Sequence, residues 1–158
     1  MRNPLLLSLL LTPFLNCYSQ NYESADKQKI TVVVNQFFEA LEKKDTTLLQ
    51  RIALSKGQIW RIYDDDRTEK VNMRFVQDDI QTLHSLPAVK ETALDFDIKI
   101  HQDIAMAWVP YEFRVEDEFS HCGVDIFTLF RIDGSWKIIS TAYSVEKKHC
   151  EELRHKKK

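Results

Sequence analysis

The segment Gly123-Val124-Asp125-Ile126-Phe127-Thr128-Leu129-Phe130-Arg131-Ile132, the pair Asp133-Gly134, and the segment Ser135-Trp136-Lys137-Ile138-Ile139-Ser140-Thr141-Ala142-Tyr143 decide the fold. Two runs rich in β-branched and aromatic residues flank a dipeptide suited to a two-residue turn, so they read as neighbouring antiparallel strands. With Asp133-Gly134 at the centre of the turn, Asp125 falls opposite Ala142, Phe127 opposite Ser140, and Leu129 opposite Ile138. One face then combines small residues (Gly123, Ser140, Ala142) around Asp125 with bulky apolar ones (Phe127, Leu129, Ile138, Trp136). Such a distribution fits a small-molecule pocket, polar at one spot and apolar elsewhere.

Strand patterns continue outward over residues 89 to 100, 103 to 115, 119 to 131 and 135 to 145. On the strand before the hairpin Trp108 joins the Asp125 face, and Pro110 is placed to bulge that strand and shift its register. His121 shares this face, but about 13 Å along a strand separates it from Asp125, so no direct hydrogen bond is expected. The opposite face is also apolar, with Tyr111, Phe113, Val124, Ile126, Phe130, Ile139 and Tyr143. Two apolar faces need two covers: helices on one, and on the other a second copy of the chain, which makes a homodimer the expectation.

The front half is helical. Ile30, Val33, Val34, Phe37, Phe38 and Leu41 recur at helical spacing and predict a long helix from Ser24 or Asp26. Asp45 is placed to cap a short second helix carrying Leu48, Leu49 and Ile52. A third is expected at 74 to 85, closed by Pro87. Between them, 58 to 63 and 70 to 73 read as a hairpin turning through Asp64-Asp65-Asp66, a fragment without the later glycine and glutamate of a calcium loop. Helices first and a meander last imply one α+β domain.

Composition excludes several classes. With 158 residues, 44% hydrophobic and 11% aromatic, the chain suits a single core. A formal net charge of -2 gives no electrostatic reason to seek nucleic acid. Three glycines cannot supply a Walker loop or a dinucleotide fingerprint, and five scattered histidines without HExxH or paired CxxC spacing point to no metal. No cofactor is implied.

Arg2 followed by the apolar run Leu5 to Leu15 is too short to span a bilayer and reads as a signal peptide, residues 1 to 19, leaving no transmembrane segment in the mature chain. Cleavage after Ser19, giving a secreted or periplasmic protein, competes with lipid attachment at Cys17, where the preceding Asn16 is a poor residue. An oxidising compartment would let the remaining Cys122 and Cys150 pair, against the alternative of two free thiols. Residues 147 to 158 form a basic C-terminal tail.

The helical front followed by a meander, with Gly123-Val124-Asp125-Ile126-Phe127 leading to Asp133-Gly134-Ser135-Trp136-Lys137-Ile138, resembles the nuclear transport factor 2-like superfamily. That superfamily includes SnoaL-like and ketosteroid isomerase-like proteins, and the resemblance here is to an exported bacterial branch. It covers about residues 26 to 146, and the domain as a whole reads as 24 to 146. It implies a cone: three N-terminal helices packed on a curved, mainly antiparallel sheet, with an apolar pocket at the open end and pairing of subunits through the sheet. Asp125 before Phe127 is similar to the oxyanion-stabilising aspartate of the isomerase-like members. Their second donor, a tyrosine, corresponds to Phe37, and their general base falls near Trp60 to Asp64. The resemblance therefore implies a ligand pocket of Phe37, Trp60, Trp108, Asp125, Phe127 and Ser140 without a complete acid–base set. Three functions follow as expectations: an exported module binding a small apolar ligand, a lyase or isomerase using Asp125, and a partner-binding domain without catalysis.

Overall fold

The computed structural model describes residues 14–63 and 70–154, with side chains from residue 23 onward. Helix α1 (Phe14–Lys43) is the longest element, so the helix starts well before the expected Ser24 or Asp26. Its stripe Ile30, Val34, Phe37 and Phe38 is buried. Lys44 adopts φ 55°, which ends the helix, and the Asp45 carboxylate then accepts from Leu48 N at 2.9 Å to start α2 (Thr46–Ile52).

The hairpin β1 (Ala53–Tyr63) and β2 (Val71–Phe75) follows; its turn, including Asp64, Asp65 and Asp66, lies outside the described residues. Next come α3 (Val76–Thr82) and a 3-10 turn over Leu83–Ser85. The expected single strand 89 to 100 is two: β3 (Val89–Ala93) and β4 (Asp97–His101). Both pair with β5 (Ile104–Val115), one at each end, on either side of Pro110. The long strands β6 (Glu118–Ile132) and β7 (Ser135–Val145) complete the meander, and α4 (Cys150–Arg154) closes the described chain.

The sheet runs β2-β1-β7-β6-β5-β3 with β4 beside β5, and only the β1–β7 pairing is parallel. The architecture is thus α+β with a curved, mostly antiparallel sheet. Instead of three helices there are four among the described residues, since α4 follows the sheet. A row of small and large residues lies under the helices: Ile59, Thr141, Phe127 and Ala107 are lateral neighbours on β1, β7, β6 and β5. Phe37 and Phe38 meet Phe127 edge-on, with ring centroids 5.4 and 5.9 Å away. Three aromatic rings fill this part of the concave side, and their burial stabilises the fold by several kcal/mol, at about 2 kcal/mol per large side chain.

The hairpin register differs from the expected one. Leu129 does pair with Ile138, but Thr128 pairs with Ser140, so Ile139 is an extra residue on β7. This β-bulge reverses the facing of everything beyond it. Asp125 stands opposite Tyr143 and Phe127 opposite Thr141, while Ser140 and Ala142 turn to the outer face. Tyr143, expected outside, is inside.

Candidate functional site

Beyond the aromatic plug the concave face becomes polar. One lateral row holds Arg61 on β1, Tyr143 on β7 and Asp125 on β6, with Thr141 one step deeper on β7. Asp125 is 3% exposed and Thr141 2%. Their Oδ2 and Oγ1 atoms, and the Nε of Arg61, are buried and make no hydrogen bond to any described residue. A buried polar atom without a partner costs about 1–3 kcal/mol, so water or ligand atoms that reached this cluster would be stabilising.

Glu91, projected from edge strand β3, hydrogen-bonds to Asp125. Two carboxyl groups in contact in an apolar setting cannot both be ionised, so they share a proton. Burial pushes Glu91 up to about 7, with the Asp125 hydrogen bond and the charge of Arg74 acting the other way. Asp125 is raised well above the usual carboxylate range, by burial first and then by Glu91. The shared proton lies in the hydrogen bond between the two carboxyl groups.

Of the cations around the pair, Arg74 is engaged through its guanidinium, whereas Arg61 keeps its Nε unpartnered. Arg74 of β2 grips Asp79 of α3 through two nitrogens, one contact being Nη2 to Oδ2 at 3.0 Å, and its Nη1 donates to Tyr143 Oη at 3.2 Å. The Arg61 guanidinium lies 4.5 Å above the Tyr63 ring. Tyr111 reaches across Gly123 and donates to the Ser144 carbonyl at 2.6 Å. A β-carbon at 123 would overlap that carbonyl and come within 2.9 Å of the Tyr111 ring, so only glycine allows this crossing. His121 stacks on Phe113 at 4.7 Å and meets Tyr111 edge-on; burial first, and then Lys147 and Arg61, lower it to about 4, so it is neutral at physiological pH.

The six residues expected to line a pocket separate into two sets. Phe37, Asp125 and Phe127 lie on the concave side. Trp60, Trp108 and Ser140 lie on the outer face: Trp60 pairs with Ala142, Trp108 with Ile126, and the two indoles are 41% and 43% exposed. Sequence reading missed Glu91, Arg61, Arg74, Thr141 and Tyr143. Cys122 and Cys150 form a disulfide that ties α4 to β6. Among the described residues no group of three or more His, Cys, Asp or Glu is placed to hold a metal ion, and no helix is long and apolar enough to cross a membrane.

A curved sheet wrapped on a long helix, with buried polar groups on its inner side, is the nuclear transport factor 2-like fold, and solved structures bear this out. The chain is similar to a protein with a cystatin-like fold from Nostoc punctiforme: 14% identity, 78% of this chain and 93% of that one covered, TM-score 0.64. It is also similar to an NTF2-like protein from Silicibacter pomeroyi: 18% identity, 78% and 98% covered, TM-score 0.60. A third, from Streptomyces avermitilis, is described as a "putative dehydratase from the NTF2-like family": 13% identity, 78% and 97% covered, TM-score 0.61. At these identities the likeness shows the fold alone. Among curated proteins nothing matches. Residues 25–144 match the model of the family described as "Putative lumazine-binding", and the chain belongs to that family.

Proposed function

We propose that this chain is an exported module that binds a small, flat, largely apolar molecule on the concave face beside Asp125, and that it works as a homodimer. One observation carries the binding reading: Asp125 Oδ2, Thr141 Oγ1 and Arg61 Nε are buried and unpartnered on adjacent strands of one face, next to an aromatic floor. A ligand with a few polar atoms on an apolar body would satisfy them. The family's description names lumazine, a flat fused heterocycle, which supports the flat shape and adds polar atoms at the ring edges.

The homodimer reading rests on the outer face. Met73, Trp60, Ala142, Ile126 and Trp108 form a lateral row across five strands, and the exposed Ile62 and Val71 extend it. Export rests on Arg2, the run Leu5 to Leu15, and the disulfide, a bond at home in oxidising compartments.

A second reading, a lyase or isomerase, is favoured by the shared proton of Glu91 and Asp125, since such a pair offers an acid and a base together. Thermal melting with a panel of flat heterocycles that includes lumazine tests the binding reading. Stabilisation by a few degrees, reduced in Thr141→Val and Asp125→Asn, is the expected result. A panel with no shift on the folded wild-type protein defeats it.

A further inference from the structure

We propose that the Glu91–Asp125 pair reads an amidine edge, two N–H donors on one carbon as found in 2-amino nitrogen heterocycles, and that the site selects this edge over a dione. The inference rests on the binding reading above and names the chemical group that the polar end of the site takes.

The pair holds one proton between two carboxyl groups, and that proton is used in the hydrogen bond between them. What remains toward the site is acceptor capacity: Asp125 Oδ2, buried and unpartnered, and the charge kept by Glu91. Two acceptors call for two donors, and an amidine supplies them in the planar arrangement by which guanidinium groups grip carboxylates. A dione edge presents oxygen, N–H and oxygen in turn. Its single donor would bring carbonyl oxygens against the carboxyl oxygens, which repel.

No neighbouring cation already fills this role. Arg74 spends two nitrogens on Asp79 and the third on Tyr143. Arg61 is laid over Tyr63, and its unpartnered Nε is a donor. It asks for an acceptor on the ligand, as a 4-oxo group beside the amidine would provide. The Tyr111 hydroxyl is committed to the Ser144 carbonyl. An anionic ligand is disfavoured because it would meet the charge of the carboxyl pair while Arg74 is committed to Asp79 and Tyr143.

Charge balance makes the preference depend on pH. Arg74 from β2 and Tyr111 from β5 act on the pair; behind them Asp79 of α3 holds Arg74, Tyr143 and Glu146 lie near Tyr111, and farther out are His121 with Arg61 and Lys147. Of these, Glu91 changes charge nearest neutrality, at about 7, whereas His121 stays neutral until about 4. Below the Glu91 transition the pair holds a second proton and offers one acceptor fewer, so affinity for the amidine falls on acidification.

Calorimetric titration of the wild-type protein with 2-amino-4-oxopteridine and with pteridine-2,4-dione, which differ at one substituent, tests this. The amino compound is expected to bind about 10-fold tighter or more at neutral pH, the worth of one charge-assisted hydrogen bond. Its affinity should fall several-fold between about pH 7.5 and about pH 5.5, a fall that Glu91→Gln abolishes. Asp125→Asn should erase the preference. Equal or tighter binding of the dione overturns the inference and leaves the binding reading intact, whereas no binding of either compound by the folded protein, with no heterocycle raising its melting temperature, defeats both. Should Asp125→Asn fail to fold, the wild-type preference and its pH dependence still decide.

Discussion

At the scale of single residues, the site is a balance of groups whose ionisation the fold opposes. Glu91 is raised to about 7 from an ordinary 4.5, so its contribution to stability is fully present below 4.5 and is lost as pH rises through about 7. His121, held down to about 4 from 6.5, has the opposite sign: its contribution is present above 6.5 and is lost as pH falls through about 4. Between these limits the two oppose each other, and the wild-type profile is flattened. Glu91→Gln removes one side. The variant's stability relative to wild type should therefore rise with pH through about 7, by on the order of 2 kcal/mol, as read by urea unfolding at about pH 5 and about pH 8. A difference that does not change with pH would mean that Glu91 is an ordinary solvated carboxylate. Nothing in the sequence announced this residue. Lys90-Glu91-Thr92 reads as the polar stretch of a short edge strand, and only the folding of β3 toward α1 brings its carboxyl to Asp125.

At the scale of elements, most of the chain was legible, and the misread faces of the last hairpin share one cause. The apolar stripe of α1, the Asp45 cap, the β1–β2 hairpin and the Asp133-Gly134 turn all came from local chemistry and are where that chemistry puts them. Inserting one residue in a strand leaves hydrophobic content unchanged and inverts the faces, so Ile139 moved Thr141 and Tyr143 into the site and Ser140 and Ala142 out of it. The adjacent pair Ile138-Ile139, two bulky residues in succession within an alternating strand, is the one trace of it in the sequence. Trp60 and Trp108 misled for a different reason: aromatic residues are assigned to interiors by habit, and here they sit on the outer face. The tail element offers its own test. The Cys122–Cys150 bond closes a stretch of 28 residues and holds α4 against the sheet, where Arg154 also meets Glu112. On the chain-entropy model its loss costs about 3 kcal/mol, or roughly 10 °C in melting temperature. Melting with and without reductant should show a fall of that size, together with faster amide exchange in α4; no fall would mean that the bond adds nothing to the fold.

For the whole molecule, the two sides of the sheet divide the work. The concave side is closed by the molecule's own helices, whereas the outer side presents indoles and aliphatic chains to whatever meets it. Exposed apolar rows of this extent mark association surfaces. Light scattering at micromolar concentration should give the mass of a dimer, and Trp60→Glu with Trp108→Glu should convert it to a monomer that keeps its ligand affinity. A wild-type monomer would overturn the pairing, and a monomeric variant that lost its ligand would tie the two faces together.

The edge position of β3 has a bearing on how a guest would enter and leave. Five residues pair it to β5, and it has no strand on its other side, yet it supplies half of the acid pair, whose other half is on the central strand β6. Fraying of that short border would part the two carboxyls without disturbing the rest of the sheet. The amides of residues 89 to 93 thus become a natural reporter: their solvent exchange should slow when the hollow is occupied, before any other stretch registers the newcomer.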